Sequence, residues 1–127
     1  MTKIVVGTDC GNSPKMKFLR DFNIAFAQAD MASLMDCVAE DIVWNMVGDR
    51  QIEGKVAFAD AAAQMQTLNV VQLTIDSVMS HGKAGAVNGE LVLADGQTIA
   101  FCDVYEFSNA KGSSLKAITS YTVVLGG

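Results

Sequence analysis

The spacing of apolar and polar positions divides the chain into a helical first half and a stranded second half. Phe18, Leu19, Phe22, Ala25, Phe26 and Ala29 recur three and four residues apart, the period of one buried helical face, and predict an amphipathic helix over 14–29. Ser13-Pro14 supplies its start, because a serine hydroxyl can cap the free N–H groups and proline has none to leave unpaired in the first turn. Asp30 offers the same cap to a shorter helix carrying Leu34, Met35 and Val38. The β-branched and aromatic residues of DIVWNMVGD stop at a Gly-Asp turn, so 41–47 reads as a strand. After Gly54 the alanine-rich KVAFADAAAQMQ predicts a third helix reaching about Gln66. There the period changes to two. Leu73, Ile75 and Met79 alternate with Thr74, Asp76 and Ser80 up to a turn at HGKAG; strands over 86–94, 97–108 and 115–125 follow, with Asp95-Gly96 as the sharpest hairpin signal and NAKGSS as the last loop. Residues 1–13, rich in turn formers, read as a flexible lead-in, and 14–127 as one domain.

Four long strands in a meander twist and curl, and their apolar face needs a cover that three helices can supply. The expected fold class is therefore α+β: a cone-shaped, strongly curved, mostly antiparallel sheet with helices from the first half enclosing a pocket. On the strand IAFCDVYEF, Ile99, Phe101, Asp103, Tyr105 and Phe107 share one face. A carboxylate in the middle of that aromatic row must be hydrogen-bonded or take up a proton, because burying it bare costs several kcal/mol. A two-residue Asp95-Gly96 loop places Asn88 opposite Asp103 and Glu90 opposite Phe101, and the last turn brings Ser120 alongside. Asp103 is the candidate acid/base, with Asn88, Glu90 and Ser120 as its expected polar neighbours. Phe22, Phe26, Trp44, Met46 and Met79 join Phe101 and Tyr105 as expected pocket walls. His81 shares the parity of Ile75 and Met79, but strand spacing puts it more than roughly 10 Å from Asp103. The opposite sheet face, expected to carry Val87, Leu91, Leu93, Val104, Tyr121 and Val123, is too apolar to leave in water and predicts a homodimer.

Composition narrows the partners. Half of the 127 residues are hydrophobic, yet no apolar run approaches the roughly 18 residues of a membrane span, and the first apolar run is too short for an export signal. A cytoplasmic protein is expected. A net charge of −5 with scattered basic residues argues against nucleic acid. The three cysteines have no CxxC spacing, and there is a single histidine, so neither a metal nor a cofactor is expected. What remains as a partner is a small apolar molecule.

The strings FLRDFNIAFAQAD, DIVWNMVG, FCDVYEF and LKAITSY resemble the nuclear transport factor 2-like superfamily over about 14–125, and specifically its bacterial SnoaL-like group. The resemblance implies a cystatin-like roll that commonly dimerises through its sheet. In ketosteroid isomerase, a related enzyme, an acid in a D-x-x-x-F strand donates a hydrogen bond to a dienolate oxygen; Asp103-Val-Tyr-Glu-Phe107 matches it. Phe22 stands where that enzyme's helical tyrosine would be, and Met46 where its first-strand aspartate would be, which speaks against steroid isomerisation because neither can exchange a proton. The SnoaL-like polyketide cyclases offer another analogy, with Asp103 as acid/base next to a carbonyl and His81 assisting. The expected function is a cofactor-independent isomerase, cyclase or lyase; a noncatalytic binding protein for an apolar ligand and a dimeric assembly module are the alternatives.

Overall fold

The computed structural model of the chain describes residues 2–8 and 10–126. The first helix, α1 (Pro14–Ala27), starts where its cap predicts, the Ser13 hydroxyl accepting from the Met16 N–H at 3.2 Å. The second, α2 (Met31–Cys37), is capped by Asp30 through the Ser33 N–H. It gives way directly to a strand, β2 (Val38–Met46), and the third helix is α3 (Lys55–Met65), followed by one 3₁₀ turn over Gln66–Leu68. The expected meander is present as β4 (Val70–His81), β5 (Ala84–Leu93), β6 (Thr98–Phe107) and β7 (Leu115–Gly126).

Two strands were not visible in the hydrophobic period. Within the expected flexible lead-in, β1 (Lys3–Val6) pairs in parallel with β4, and β3 (Arg50–Glu53) folds back on β2. Each is four residues long, too short to establish a period. The seven strands form one sheet in the order β1-β4-β5-β6-β7-β2-β3, antiparallel except where β1 meets β4 and β2 meets β7.

Two irregularities decide which side chains face inward. The β5–β6 loop has three residues, Ala94, Asp95 and Gly96, rather than two. The Gly96 N–H donates to the Leu93 carbonyl, the Leu93 N–H donates to the Gln97 carbonyl, and Gly96 takes a φ of +89°, the left-handed bulge conformation in which glycine carries no Cβ penalty. One extra loop residue moves the register by one. Asp103 therefore lies opposite Val87, while Asn88 lies opposite Cys102 and Glu90 opposite Ala100. Asn88 and Glu90 point to the outer face, and Val87, Leu91 and Leu93 to the inner one, the reverse of the sequence expectation. On β4 the register shifts between Ile75 and Ser77, so parity inverts at Asp76. Leu73, Ile75 and Val78 are buried, whereas Met79 is 60% exposed and His81 is exposed too.

The helices cover the concave face. Leu19 of α1 reaches β5 at Gly85, where a Cβ would lie 2.5 Å from the Leu19 Cδ1. At the Phe107 end of β6, the Phe18 and Phe107 rings meet edge to face at 5.6 Å, and Tyr105, Phe107 and Leu115 are almost wholly buried. Each such side chain contributes roughly 1.5–3 kcal/mol by leaving water. The other end is not filled, and a cavity opens there.

Candidate functional site

The cavity has a volume of about 240 Å³. An apolar cavity of about 150 Å³ accommodates benzene, so this one suits a compact molecule of one or two rings. Its walls come from α1 (Phe22, Phe26), from β2 (Trp44, Met46), from α3 (Phe58, Met65) and from the inner faces of β4 to β7. Trp44 is held by edge-on contact with Phe26 at 6.0 Å and a tilted contact with Phe58 at 5.3 Å. Val47, Leu68 and Val124 line the cavity although each is exposed, which places them at its mouth. The ionisable groups lining it are Asp103 and, from the β2–β3 turn, Asp49.

Asp103 is half-buried and lines the cavity. Loss of solvent raises its pKa to about 6, and hydrogen bonds from Ser120 and Tyr105 offset part of that rise. The Tyr105 hydroxyl donates to the Asp103 Oδ2 at 3.2 Å and accepts from the Asn23 Nδ2 at 2.9 Å. Burial, and then the charge of Asp103, push the Tyr105 phenol well above its usual range, so it stays protonated. The Asn23 Nδ2 also donates to the Leu19 carbonyl at 2.9 Å. On the far side, β7 pairs with β6 so that Ser120 lies directly opposite Asp103, and the Ser120 Oγ accepts from the Trp44 Nε1 at 2.9 Å. Side-chain hydrogen bonds thus join α1 to β6 on one side and β2 to β7 on the other, and the pairing of Ser120 with Asp103 brings the two together around Asp103.

Of the residues expected at the site, Phe22, Phe26, Trp44, Met46, Phe101, Asp103 and Ser120 line the cavity. Tyr105 is 1% exposed and sits behind Asp103 as its hydrogen-bond partner. Four expected residues lie elsewhere, for the two reasons given above. Asn88 faces outward, bonded to the Ser77 hydroxyl, and Glu90 is exposed. Met79 is on the outer side of the β4 bulge, and His81 borders a shallow groove with Lys83, Glu106 and Thr119. His81 does not meet Asp103. Asn23, at the buried level of α1 between Leu19 and Phe26, was missed; a lone polar residue within an apolar helical stripe was the signal available. Asp49 and Thr122 were missed as well, Asp49 because it reads as a plain turn residue.

Among the described residues, no group of three His, Cys, Asp or Glu side chains could hold a metal ion, and no helix is long and apolar enough to cross a membrane.

Residues 19–113 match the model of the SnoaL-like domain family, and the chain belongs to that family. Its fold is that of the wider NTF2-like superfamily. A similar solved structure is an NTF2-like protein of unknown function from Cytophaga hutchinsonii, 26% identical, covering 84% of this chain and 97% of that one with a TM-score of 0.68. Another is SalBIII, described as an epoxide hydrolase/cyclase-like enzyme acting in pyran ring formation in the polyether salinomycin: 14% identity, 86% and 90% coverage, TM-score 0.75. A putative SnoaL-like polyketide cyclase from Shewanella denitrificans shares 12% identity over 87% of this chain and 92% of its own, with a TM-score of 0.73. No protein among those with curated functions matches the chain.

Proposed function

We propose that this protein is a cofactor-independent enzyme that moves a proton on a small, mostly apolar carbonyl compound, with Asp103 as the general acid/base. The observation that supports it is the Asp103 carboxyl, set among aromatic side chains on the wall of a largely apolar cavity of one- to two-ring size, with its pKa raised to about 6. A general base works best when its pKa lies near the working pH, since it is then both ionised and a useful proton acceptor. The kinship with a polyketide cyclase-like and an epoxide hydrolase/cyclase-like fold is consistent with such chemistry. His81 has no part in this reading, and neither Phe22 nor Met46, both on the cavity wall, can exchange a proton.

The test uses a panel of small cyclic ketones in D₂O, with exchange or migration of the protons next to the carbonyl followed by NMR. The wild-type protein should catalyse exchange on at least one of them. Asp103→Asn should bind that ketone with similar affinity while losing about 10²- to 10⁴-fold in rate. Absence of turnover in both proteins, with affinity lost in the variant, would replace the enzyme by a noncatalytic binding protein.

A further inference from the structure

The hydrogen bonds around Asp103 have a direction that their chemistry fixes. The amide atom of Asn23 facing Tyr105 also faces the Leu19 carbonyl. A carbonyl can only accept, so that atom is the NH₂ and it must donate to the Tyr105 oxygen. The phenol's one hydrogen is then left for the Asp103 Oδ2. On the other side, an indole N–H can only donate. Trp44 therefore fills one lone pair of the Ser120 oxygen as a donor, and the serine hydrogen is left to turn to the Asp103 carboxylate directly opposite it on β6. Both hydroxyls are turned into donors by a group one step farther out.

We propose that Asn23 and Trp44 are positioning residues that hold Asp103 as a hydrogen-bond acceptor, so that the ligand is a neutral molecule bringing its own hydrogen to Asp103, either a hydroxyl or a C–H next to a carbonyl, and not an anion. The proposal rests on Asp103 being the group that meets the ligand. In the proton-transfer step, the ligand C–H bond breaks, its electron pair moves into the adjacent carbonyl as an enolate, and an O–H bond forms on Asp103. Tyr105 and Ser120 are neutral hydroxyls with no base beyond them, only the donors Asn23 and Trp44, so neither can carry that proton onward and it returns to the ligand. The cavity's remaining side-chain hydroxyl, on Thr122 one inward position along β7 from Ser120, is the one available to a ligand oxygen. A ligand carboxylate would face Asp103 and Asp49, with no cationic side chain among the described residues that line the cavity to offset them.

The experiment is a ¹³C NMR titration of the Asp103 carboxyl in the wild-type protein, in Asn23→Leu and in Trp44→Phe. Trp44→Phe keeps a ring and removes the N–H, so it decides the matter if Asn23→Leu does not fold. Each folded variant should raise the Asp103 midpoint by about half a unit or more, because a freed hydroxyl can turn to accept from the protonated acid. An unchanged midpoint in Trp44→Phe overturns the proposal. At about pH 8, where Asp103 is ionised, phenol should bind about tenfold more tightly than anisole, and benzoate should not bind. Equal binding of phenol and anisole overturns the assignment of ligand class. Because the titration needs no turnover, a shifted midpoint with no exchange on any ketone would sink the catalytic reading and leave the directed network standing.

Discussion

At neutral pH the Asp103 side chain carries a charge that its apolar surroundings oppose, and the hydrogen bonds from Tyr105 and Ser120 offset only part of that cost. Its pKa rises from 3.8 in the free side chain to about 6 in the fold, so the folded state holds the proton more tightly than the unfolded chain does. For a group raised in this way, the stabilisation is complete below the unfolded pKa and is lost as pH climbs through the folded one. Between about pH 4 and pH 6, the wild-type protein should therefore lose about 3 kcal/mol relative to a variant that cannot ionise there. Asp103→Asn, which keeps an oxygen for both donors, should melt close to the wild type at about pH 4 and well above it at about pH 7.5. Parallel melting curves across that range would show that Asp103 is not desolvated. The acid itself was legible because strict alternation put it among Phe101, Tyr105 and Phe107. What made it a directed network was not, since Asn23 approaches Tyr105 from 82 residues away, and only the packing of α1 on the sheet creates that contact.

Elements were legible where their period ran long enough and illegible where a single residue broke it. Three helices, their two polar caps and five strands follow from spacing and cap chemistry. The faces of β4 and β5 do not. An Asp-Gly pair suits both a two-residue turn and the three-residue bulged loop seen here, and choosing the shorter one turned Asn88 and Glu90 inward. The bulge at Asp76 leaves no mark on composition, yet it carries Met79 and His81 to the outside. Glycine marks where the strands crowd. A Cβ on Gly89 would lie 1.9 Å from the Thr74 carbonyl oxygen and 3.1 Å from the Ile75 Cα, both backbone atoms of β4 just before the bulge. Backbone cannot swing aside as a side-chain tip can. Gly89→Ala should thus cost at least the 1–3 kcal/mol typical of overpacking, read as a fall in melting temperature. It should also disturb the cavity, because Gly89 is paired with Phe101 on its wall. A variant with unchanged stability would mean that β4 and β5 approach less closely than described.

At the scale of the whole molecule, the sheet has a second face that the helices leave open. Val104, Tyr121, Val123 and Met79 stand exposed on it, among the polar Ser77–Asn88 pair and the Glu106–Lys116 ion pair at 3.6 Å. The apolar set differs from the one expected, since Val87, Leu91 and Leu93 turned inward, but the face remains apolar at its centre. Four strands about 4.8 Å apart and about ten residues long at about 3.3 Å each span roughly 600 Å², on the order of the 800 Å² that each partner commonly buries in a stable complex. We propose that a second copy of the chain covers this face. A two-fold axis through the middle of β6 and β7 would set like against like, and the small and aromatic side chains there bring few charges to oppose it. Sedimentation at micromolar concentration should then report a dimer. Val104→Lys combined with Tyr121→Glu should weaken it by about 100-fold or more, the scale of losing central interface residues. The Asp103 midpoint should stay where it is in that variant, because both substitutions lie on the side of the sheet away from the cavity. A wild-type chain that sediments as a monomer would leave the face open and end the dimer proposal, with the chemistry proposed for the cavity unaffected.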